Sequence, residues 1–312
     1  MPTTRRTGPG RSCTVQQTGL KENEKQAPDV LSGALKTGFE EKHMASTVRA
    51  LVITGYGTNC EVECAHAARL AGVDRVEIAH FADIVEGRIV IGDFNFLIFP
   101  GGFLDGDDLG AAQAAAQRWK HSSPKKGRPL VEQLMDFIRD GGLILGICNG
   151  FQLLVKLGLL PALDENYLER QVSLAHNASA RYEDRWCLLA VNEKSPCVFT
   201  KGLQSLYIPV RHGEGKLVPM DEATLERLQA ENLVVVQYAD PESGRPTQDY
   251  PYNPNGSPMG IAGLCDPSGR IFGLMPHPEA YNHPTNHPGW TRGESGTIGL
   301  AIFTNAVNFL RA

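Results

Sequence analysis

One stretch of the chain decides the fold: Leu143-Ile-Leu-Gly-Ile-Cys-Asn-Gly-Phe-Gln-Leu-Leu-Val-Lys-Leu157. Its first five residues are mostly apolar and predict a buried strand, and the apolar spacing of 151–157 predicts an amphipathic helix. Cys148 lies between them, flanked by Gly146 and Gly150. A sharp strand–turn–helix elbow of this kind presents a catalytic nucleophile, and glycines relieve its crowding because they lack a Cβ.

The same pattern is compatible with a purely structural cysteine, since cysteine is among the residues most often buried. If Cys148 is a nucleophile, its place at the first turn of a helix favours the thiolate. The backbone N–H of Asn149 would then be positioned to stabilise an oxyanion. The pattern alone does not separate the two interpretations, so the deciding observation must be a base elsewhere in the chain.

That base is indicated by the segment Met275-Pro-His-Pro-Glu279. A cysteine hydrolase needs a base and a third group that orients it. The two prolines exclude a helix or a central strand, and in an extended chain His277 and Glu279 point to the same side. A histidine in a proline-rich loop is unremarkable by itself, because the chain has nine histidines. Paired with Cys148, it predicts a catalytic triad of Cys148, His277 and Glu279.

Strands and helices alternate on both sides of this stretch. Strands are predicted at 49–53, 76–80, 94–99, 143–147, 186–191, 206–210, 233–239, 259–264 and 271–274. Helices are predicted at 62–70, 109–119, 130–140, 151–157 and 297–310. This order implies an α/β fold with a mostly parallel central sheet flanked by helices on both faces. Ligands bind beyond the carboxyl ends of the strands in such sheets, and Cys148 and His277 both follow strands.

Residues 1–47 differ from the remainder of the chain. They are rich in Thr, Gly, Pro, Lys and Arg and have no sustained apolar periodicity. We interpret them as a disordered extension or a tag, with a targeting segment or an upstream start as alternatives, because Met44 could itself begin a protein. The alternating pattern occupies residues 48–312.

Composition excludes several classes of function. The formal net charge of −5 argues against a nucleic-acid partner, and no apolar run is long enough to predict a membrane span. Seven scattered cysteines without a secretory signal favour a reducing cytoplasm. Cys60 and Cys64 have i,i+4 spacing, but no further ligand follows at suitable spacing, so no metal site is predicted.

The motifs Gly146-Ile-Cys-Asn-Gly-Phe-Gln152 and Pro276-His-Pro-Glu279 resemble those of class I glutamine amidotransferases. The chain is more narrowly similar to the glutaminase component of phosphoribosylformylglycinamidine synthases. Four further segments carry this narrower resemblance: Gly57-Thr-Asn-Cys60, Pro100-Gly-Gly-Phe103, His212-Gly-Glu-Gly215, and Gly260-Ile-Ala-Gly-Leu-Cys265 followed by Gly273-Leu-Met-Pro-His277. The resemblance implies one flavodoxin-like amidotransferase domain over residues 48–312.

The resemblance also implies roles for individual residues. Cys148 would attack the side-chain amide of L-glutamine, His277 would act as base and then as acid, and Glu279 would orient His277. Backbone N–H groups of Gly102 and Asn149 would form the oxyanion hole.

Three more residues are implied to lie at the substrate. Gln152 would hold the main-chain groups of glutamine, and Gly101 is a second candidate for the oxyanion hole. His212 would lie close to the substrate. The chain departs from the family pattern at residues 104–108. It also departs at Ala280, a position where an arginine is more usual.

Ammonia would pass to a synthetase subunit, with a small third subunit as an optional component. There, formylglycinamide ribonucleotide would become formylglycinamidine ribonucleotide in purine biosynthesis. No cofactor is expected in this chain, and ATP and magnesium would belong to the partner, consistent with the lack of a P-loop motif. Neither nucleic acid nor a membrane is expected as a partner.

Two alternatives remain open from the sequence. A free-standing γ-glutamyl cysteine hydrolase would use the same chemistry without a partner. A degenerate, non-enzymatic subunit would require a broken triad, whereas all three triad residues are present.

Overall fold

The computed structural model of the chain describes residues 47–125, 127–294 and 298–312. Almost all of residues 1–47, interpreted above as a disordered extension or a tag, lie outside the described residues. Eleven strands are present in it: β1 Arg49–Thr54, β2 Arg75–His80, β3 Phe96–Phe99, β4 Leu143–Ile147, β5 Val172–His176, β6 Glu183–Val191, β7 Ser205–His212, β8 Glu214–Pro219, β9 Val234–Tyr238, β10 Ile261–Cys265 and β11 Ile271–Leu274. The same part contains seven α-helices: α1 Glu61–Leu70, α2 Phe81–Val85, α3 Gln113–His121, α4 Leu130–Arg139, α5 Asn149–Leu157, α6 Glu222–Ala230 and α7 Leu300–Arg311.

Nine strands form one sheet in the order β2-β1-β3-β4-β11-β10-β9-β6-β7. The first five are parallel to one another, and each later neighbour pair is antiparallel. Only β10 and β6 therefore run against the common direction, which confirms the prediction of a mostly parallel sheet. Ile147, at the end of β4, lies in register with Leu274, at the end of β11. The segments that carry Cys148 and His277 consequently leave the sheet side by side.

Helices cover both faces of the sheet, as predicted. On one face α1 packs against β1, β2 and α7. On the other, α5 packs against β3, β4, β11 and α3. The ring of Phe151 in α5 lies over Gly273, where an added Cβ would come within 2.1 Å of that ring. Among the described residues, no helix is both long and apolar enough to cross a bilayer.

Several predicted bounds shift for backbone reasons. The helix predicted at 109–119 begins only at Gln113, because Leu109, Gly110 and Ala112 have positive φ angles of 64°, 96° and 58°. The third strand begins at Phe96 rather than at 94, because residues 91–93 form a 3-10 turn. The last helix begins at Leu300, and residue 297, the predicted start, lies outside the described residues.

Sequence periodicity did not indicate α6, β5 or β8. The helix α6 buries only Thr224 and Leu228, so its apolar stripe is too thin to be recognised, although Asp221 accepts a hydrogen bond from the Thr224 N–H as its N-cap. Within the part of the chain that the structure describes, strands β5 and β8 pair only with each other, in a small antiparallel sheet.

Candidate active site

Cys148 occupies a strained elbow between β4 and α5. Its φ and ψ angles of 50° and −105° lie in a region that residues with a Cβ rarely adopt. An added Cβ at Gly150 would lie 1.9 Å from the carbonyl oxygen of Phe99, and one at Gly146 would lie 2.6 Å from Leu154 Cδ1. Glycine is therefore required at both positions, because a Cβ there would clash with neighbouring atoms. Cys148 is 5% exposed as a residue, and its N–H donates to the carbonyl oxygen of Leu274 at 2.8 Å.

His277 and Glu279 form a buried pair, with 2.7 Å between Nδ1 and Oε1. They meet across a 3-10 turn at Pro278–Ala280 rather than along an extended chain, so the predicted proximity arises from a different backbone geometry. The His277 N–H donates to the carbonyl oxygen of Pro209 at 2.8 Å, which fixes the turn against β7. Among the described residues, His277 Nε2 has no hydrogen-bond partner and is therefore free to act on a bound molecule.

The elbow and the buried pair face each other next to Gly101. A Cβ placed on Gly101 would lie 2.8 Å from His277 Cε1 and 3.5 Å from Cys148 Cβ. The structure therefore brings together all three residues of the predicted triad. A side chain at position 101 would have to displace the imidazole.

The surroundings of His277 favour its charged form. Burial alone would lower the pKa of His277, but the Glu279 carboxylate and the Cys148 sulfur outweigh burial and raise that pKa well above its ordinary value. A protonated imidazole next to a sulfur stabilises the thiolate, which is the nucleophilic form of cysteine. The arrangement can support nucleophilic attack followed by proton transfer.

The two residues predicted to form an oxyanion hole, Asn149 and Gly102, both lie beside Cys148, and the role of their N–H groups remains a prediction. Asn149 is the first residue of α5, so its N–H has no acceptor within the helix. Gly102 lines the cleft in front of Cys148, with a φ angle of 152°. An added Cβ at Gly102 would lie 2.6 Å from the Gly57 carbonyl oxygen, and that oxygen accepts the Phe103 N–H at 2.7 Å. The loop is thereby fixed in position.

The side chains of Asn149 and Gln152 support the site from within. Asn149 Oδ1 accepts the Leu104 N–H at 2.9 Å, and its Nδ2 donates to Asp107 Oδ1 at 3.1 Å and Gln152 Oε1 at 2.8 Å. Gln152 Nε2 in turn donates to the carbonyl oxygen of Glu214. The Gln152 amide thus makes hydrogen bonds within the protein, and its predicted contact with substrate remains a prediction.

His212 also borders the cleft, but its ring contacts other protein groups. Nδ1 lies 3.1 Å from Asn177 Oδ1, and Nε2 lies 3.5 Å from the Tyr238 hydroxyl. Burial, followed by the charge of His277, lowers the pKa of His212 to about 3, so the ring is neutral at physiological pH. A direct contact between this ring and substrate is still a prediction.

The cleft brings further residues to Cys148 that sequence reasoning did not select. Its lining consists of Gly102, Phe103, Asp107, Cys148, Gln152, His176, Tyr182, Arg211, His212, Gly213 and Glu214. Glu214 lies within the segment 212–215, which carries part of the family resemblance. Arg211 is the residue directly before that segment. Asp107 lies in the loop that departs from the family pattern, and burial raises the pKa of its carboxyl group. Tyr182 had no recognisable signal in the sequence.

Cys60 is an unexpected neighbour of the triad. Its Sγ lies 3.9 Å from His277 Nδ1 and 3.2 Å from Asn59 Oδ1. Burial raises the pKa of this thiol. The only signal in the sequence was its place in the segment 57–60, because the contact spans 217 positions.

Comparison with known proteins agrees with this geometry. The model of the CobB/CobQ-like glutamine amidotransferase domain matches residues 47–310. The chain is 41% identical over 273 residues to the phosphoribosylformylglycinamidine synthase subunit PurQ of Methanococcus maripaludis, covering 84% of this chain and 97% of that protein. It is 43% identical over 269 residues to PurQ of Dehalococcoides mccartyi, covering 85% and 99%.

A solved structure is similar as well. One chain of the structure of PurLQS from Thermotoga maritima superposes with a TM-score of 0.62 at 28% sequence identity. The match covers 85% of this chain and 100% of that chain.

Proposed function

Because the chain belongs to the CobB/CobQ-like glutamine amidotransferase family, we propose that it is the glutaminase subunit of a phosphoribosylformylglycinamidine synthase. One observation carries the chemistry: the elbow at Cys148 and the buried His277–Glu279 pair face each other beside Gly101. The relatives that share the length of the chain are named as subunits of this enzyme, which favours an amidotransferase over a free-standing hydrolase.

In the proposed reaction, the Cys148 thiolate attacks the side-chain amide carbon of glutamine. The N–H groups of Asn149 and Gly102 hold the negative charge that develops on the carbonyl oxygen. The imidazolium of His277 gives its proton to the departing nitrogen, so ammonia leaves and a γ-glutamyl thioester remains. Water then attacks the thioester, neutral His277 takes its proton, and glutamate is released as the Cys148 sulfur leaves.

Glutamine recognition is assigned to the cleft in front of Cys148. An α-ammonium group requires negatively charged acceptors, and Asp107 and Glu214 are among the residues that line this cleft. An α-carboxylate requires a cation, and Arg211 is the arginine among the lining residues. Gln152 and His212 position the segment that carries Glu214.

The released ammonia passes to a synthetase subunit. Similarity to a chain of the PurLQS structure supports such a partner, and a small third subunit is part of the proposal. This chain contributes no cofactor, and the ATP and magnesium of the ligase reaction belong to the partner. We assign the complex to the cytoplasm, a proposal supported by the six free cysteines of the described residues.

The decisive experiment separates the two half-reactions in the assembled complex. Cys148→Ala should abolish glutamine-dependent amidine formation, whereas ammonium salts should still support synthesis at a rate close to that of the wild type. A Cys187→Ala variant, which changes a buried cysteine of β6 away from the cleft, serves as the control. Loss of both activities in a folded Cys148→Ala complex would contradict the assignment of ammonia production to this chain.

A further inference from the structure

Three potential metal ligands meet on the far side of the catalytic imidazole. One ligand atom each from Cys60, His277 and Glu279 lies within 4.8 Å of the others. Thiolate, imidazole and carboxylate are the groups that bind Zn²⁺ in proteins. The set was not expected from the sequence, in which Cys60 lacked further ligands at suitable spacing.

A second observation concerns the carboxylate of Glu279. Glu279 is 1% exposed, and among the described residues its Oε2 atom has no hydrogen-bond partner. A buried carboxylate oxygen without a partner is energetically costly. The proposed glutaminase reaction uses only Oε1, which contacts His277, so it does not account for Oε2.

We propose that Cys60, His277 and Glu279 form an inhibitory Zn²⁺ site, with Cys60 Sγ, His277 Nδ1 and a Glu279 carboxylate oxygen as ligands and water in the fourth position. Tetrahedral zinc bonds of about 2.0–2.3 Å place ligand atoms about 3.3–3.8 Å apart. The Sγ–Nδ1 distance of 3.9 Å already approaches this spacing. The Nδ1–Oε1 distance of 2.7 Å must widen, or Oε2 must replace Oε1.

Metal binding at this site displaces protons. The Cys60 thiol loses its S–H proton, and the His277 imidazolium loses its Nδ1 proton while it keeps the proton on Nε2, so two protons are released for each Zn²⁺ bound. Metal on Nδ1 prevents His277 from carrying the two protons of an imidazolium. The inhibition, though not the metal binding, rests on the proposed function.

Binding is tested first in a Cys148→Ala variant of the full chain, where the nucleophile cannot contribute a ligand. Zn²⁺ affinity is measured by competition with a chromogenic chelator, and Cd²⁺ is used to detect thiolate coordination by its ultraviolet charge-transfer absorption. Adding Cys60→Ala should weaken Zn²⁺ binding at least about tenfold and remove the Cd²⁺ band. Cys64→Ala, one turn along α1, should leave both unchanged.

Thermal unfolding establishes that each variant is folded. If a folded Cys60→Ala variant binds Zn²⁺ as tightly as its parent, the site is elsewhere and the proposal is wrong. This binding result stands even if the chain proves to have no glutaminase activity.

Inhibition is tested in the assembled complex with intact Cys148. Cys60→Ala should raise the Zn²⁺ concentration for half-inhibition of glutamine hydrolysis at least about tenfold, whereas Cys64→Ala should not change it. An unchanged half-inhibiting concentration in Cys60→Ala would show that the metal acts at Cys148 instead and would overturn the inhibitory role.

Discussion

His277 and His212 are equally buried, each 2% exposed, yet their environments have opposite effects on charge. The pKa of His277 is raised well above its ordinary value, and that of His212 is lowered to about 3. Burial disfavours the imidazolium at both positions. The difference comes from the nearest partners, a carboxylate for His277 and a neutral amide and hydroxyl for His212.

This comparison shows that burial by itself produces a neutral histidine, and that a charged one requires a specific anionic partner. The two rings are also coupled, because the charge of His277 further lowers the pKa of His212. A neutral His212 therefore avoids placing a second cation beside the proposed base. One histidine stabilises the fold in its neutral form, whereas the other is suited to proton transfer.

The largest effect should come from removing the anionic partner. Glu279→Gln leaves His277 with a neutral amide neighbour, as His212 has, so the pKa of His277 should fall. We expect glutamine hydrolysis in the complex to decrease by about 10³- to 10⁴-fold, by analogy with the loss of the orienting carboxylate from other triads. Steady-state kinetics of the assembled complex measure the loss. Near-wild-type rates would refute the orienting role of Glu279.

A smaller effect should follow from moving the imidazole without changing its partner. Gly101→Ala would place a methyl group 2.8 Å from His277 Cε1, so the ring must shift. We expect kcat for glutamine to fall by about 100-fold, because displacements of about 1 Å at a catalytic group have effects of this size.

Gly92→Ala is the matched control, since an added Cβ there meets no atom within 4 Å. Ammonia-dependent synthesis should be unaffected in both variants. Equal glutamine-dependent rates for Gly101→Ala and Gly92→Ala would indicate that position 101 tolerates a side chain, in conflict with the close packing described above.

The smallest effect concerns stability and the other histidine. The pKa of His212 is lower in the folded chain, about 3, than in the unfolded chain, about 6.5, so the unfolded state binds more protons between these values. His212 therefore lowers the free energy of unfolding progressively as the pH falls below about 6.5. The slope is at most about 1.4 kcal/mol per pH unit.

His212→Gln removes this contribution. Between pH 7 and pH 5, the free energy of unfolding should fall for both proteins when it is measured by urea denaturation. The fall should be about 2 kcal/mol smaller for His212→Gln than for the wild type. Identical pH dependence in the two proteins would mean that the His212 pKa is not depressed in the folded state.

Much of the fold could be predicted from local patterns. Strands 143–147 and 271–274 have the predicted bounds, because continuous apolar runs between glycines and prolines leave few alternatives. The start of α3 was missed because three left-handed residues are invisible to apolar periodicity. The polar helix α6 was missed for lack of an apolar stripe.

In the candidate site, too, some residues could be predicted from the sequence and others could not. Cys148, His277 and Glu279 could be selected from short motifs, because each motif fixes its own backbone turn. Cys60, Asp107 and Arg211 could not, since their proximity to Cys148 or His277 depends on the segments after β1 and β3 meeting the end of β7. No periodicity along the chain encodes such a meeting.

The sequence by itself determined the elbow at Cys148 and the order of strands and helices, because steric limits and apolar spacing act over a few residues. Only the tertiary structure decided that β4 and β11 are neighbours, that Cys60 contacts His277, and that two equally buried histidines differ in charge. Those outcomes depend on distances of a few ångströms between residues far apart in the chain, and electrostatic interactions are set by such distances.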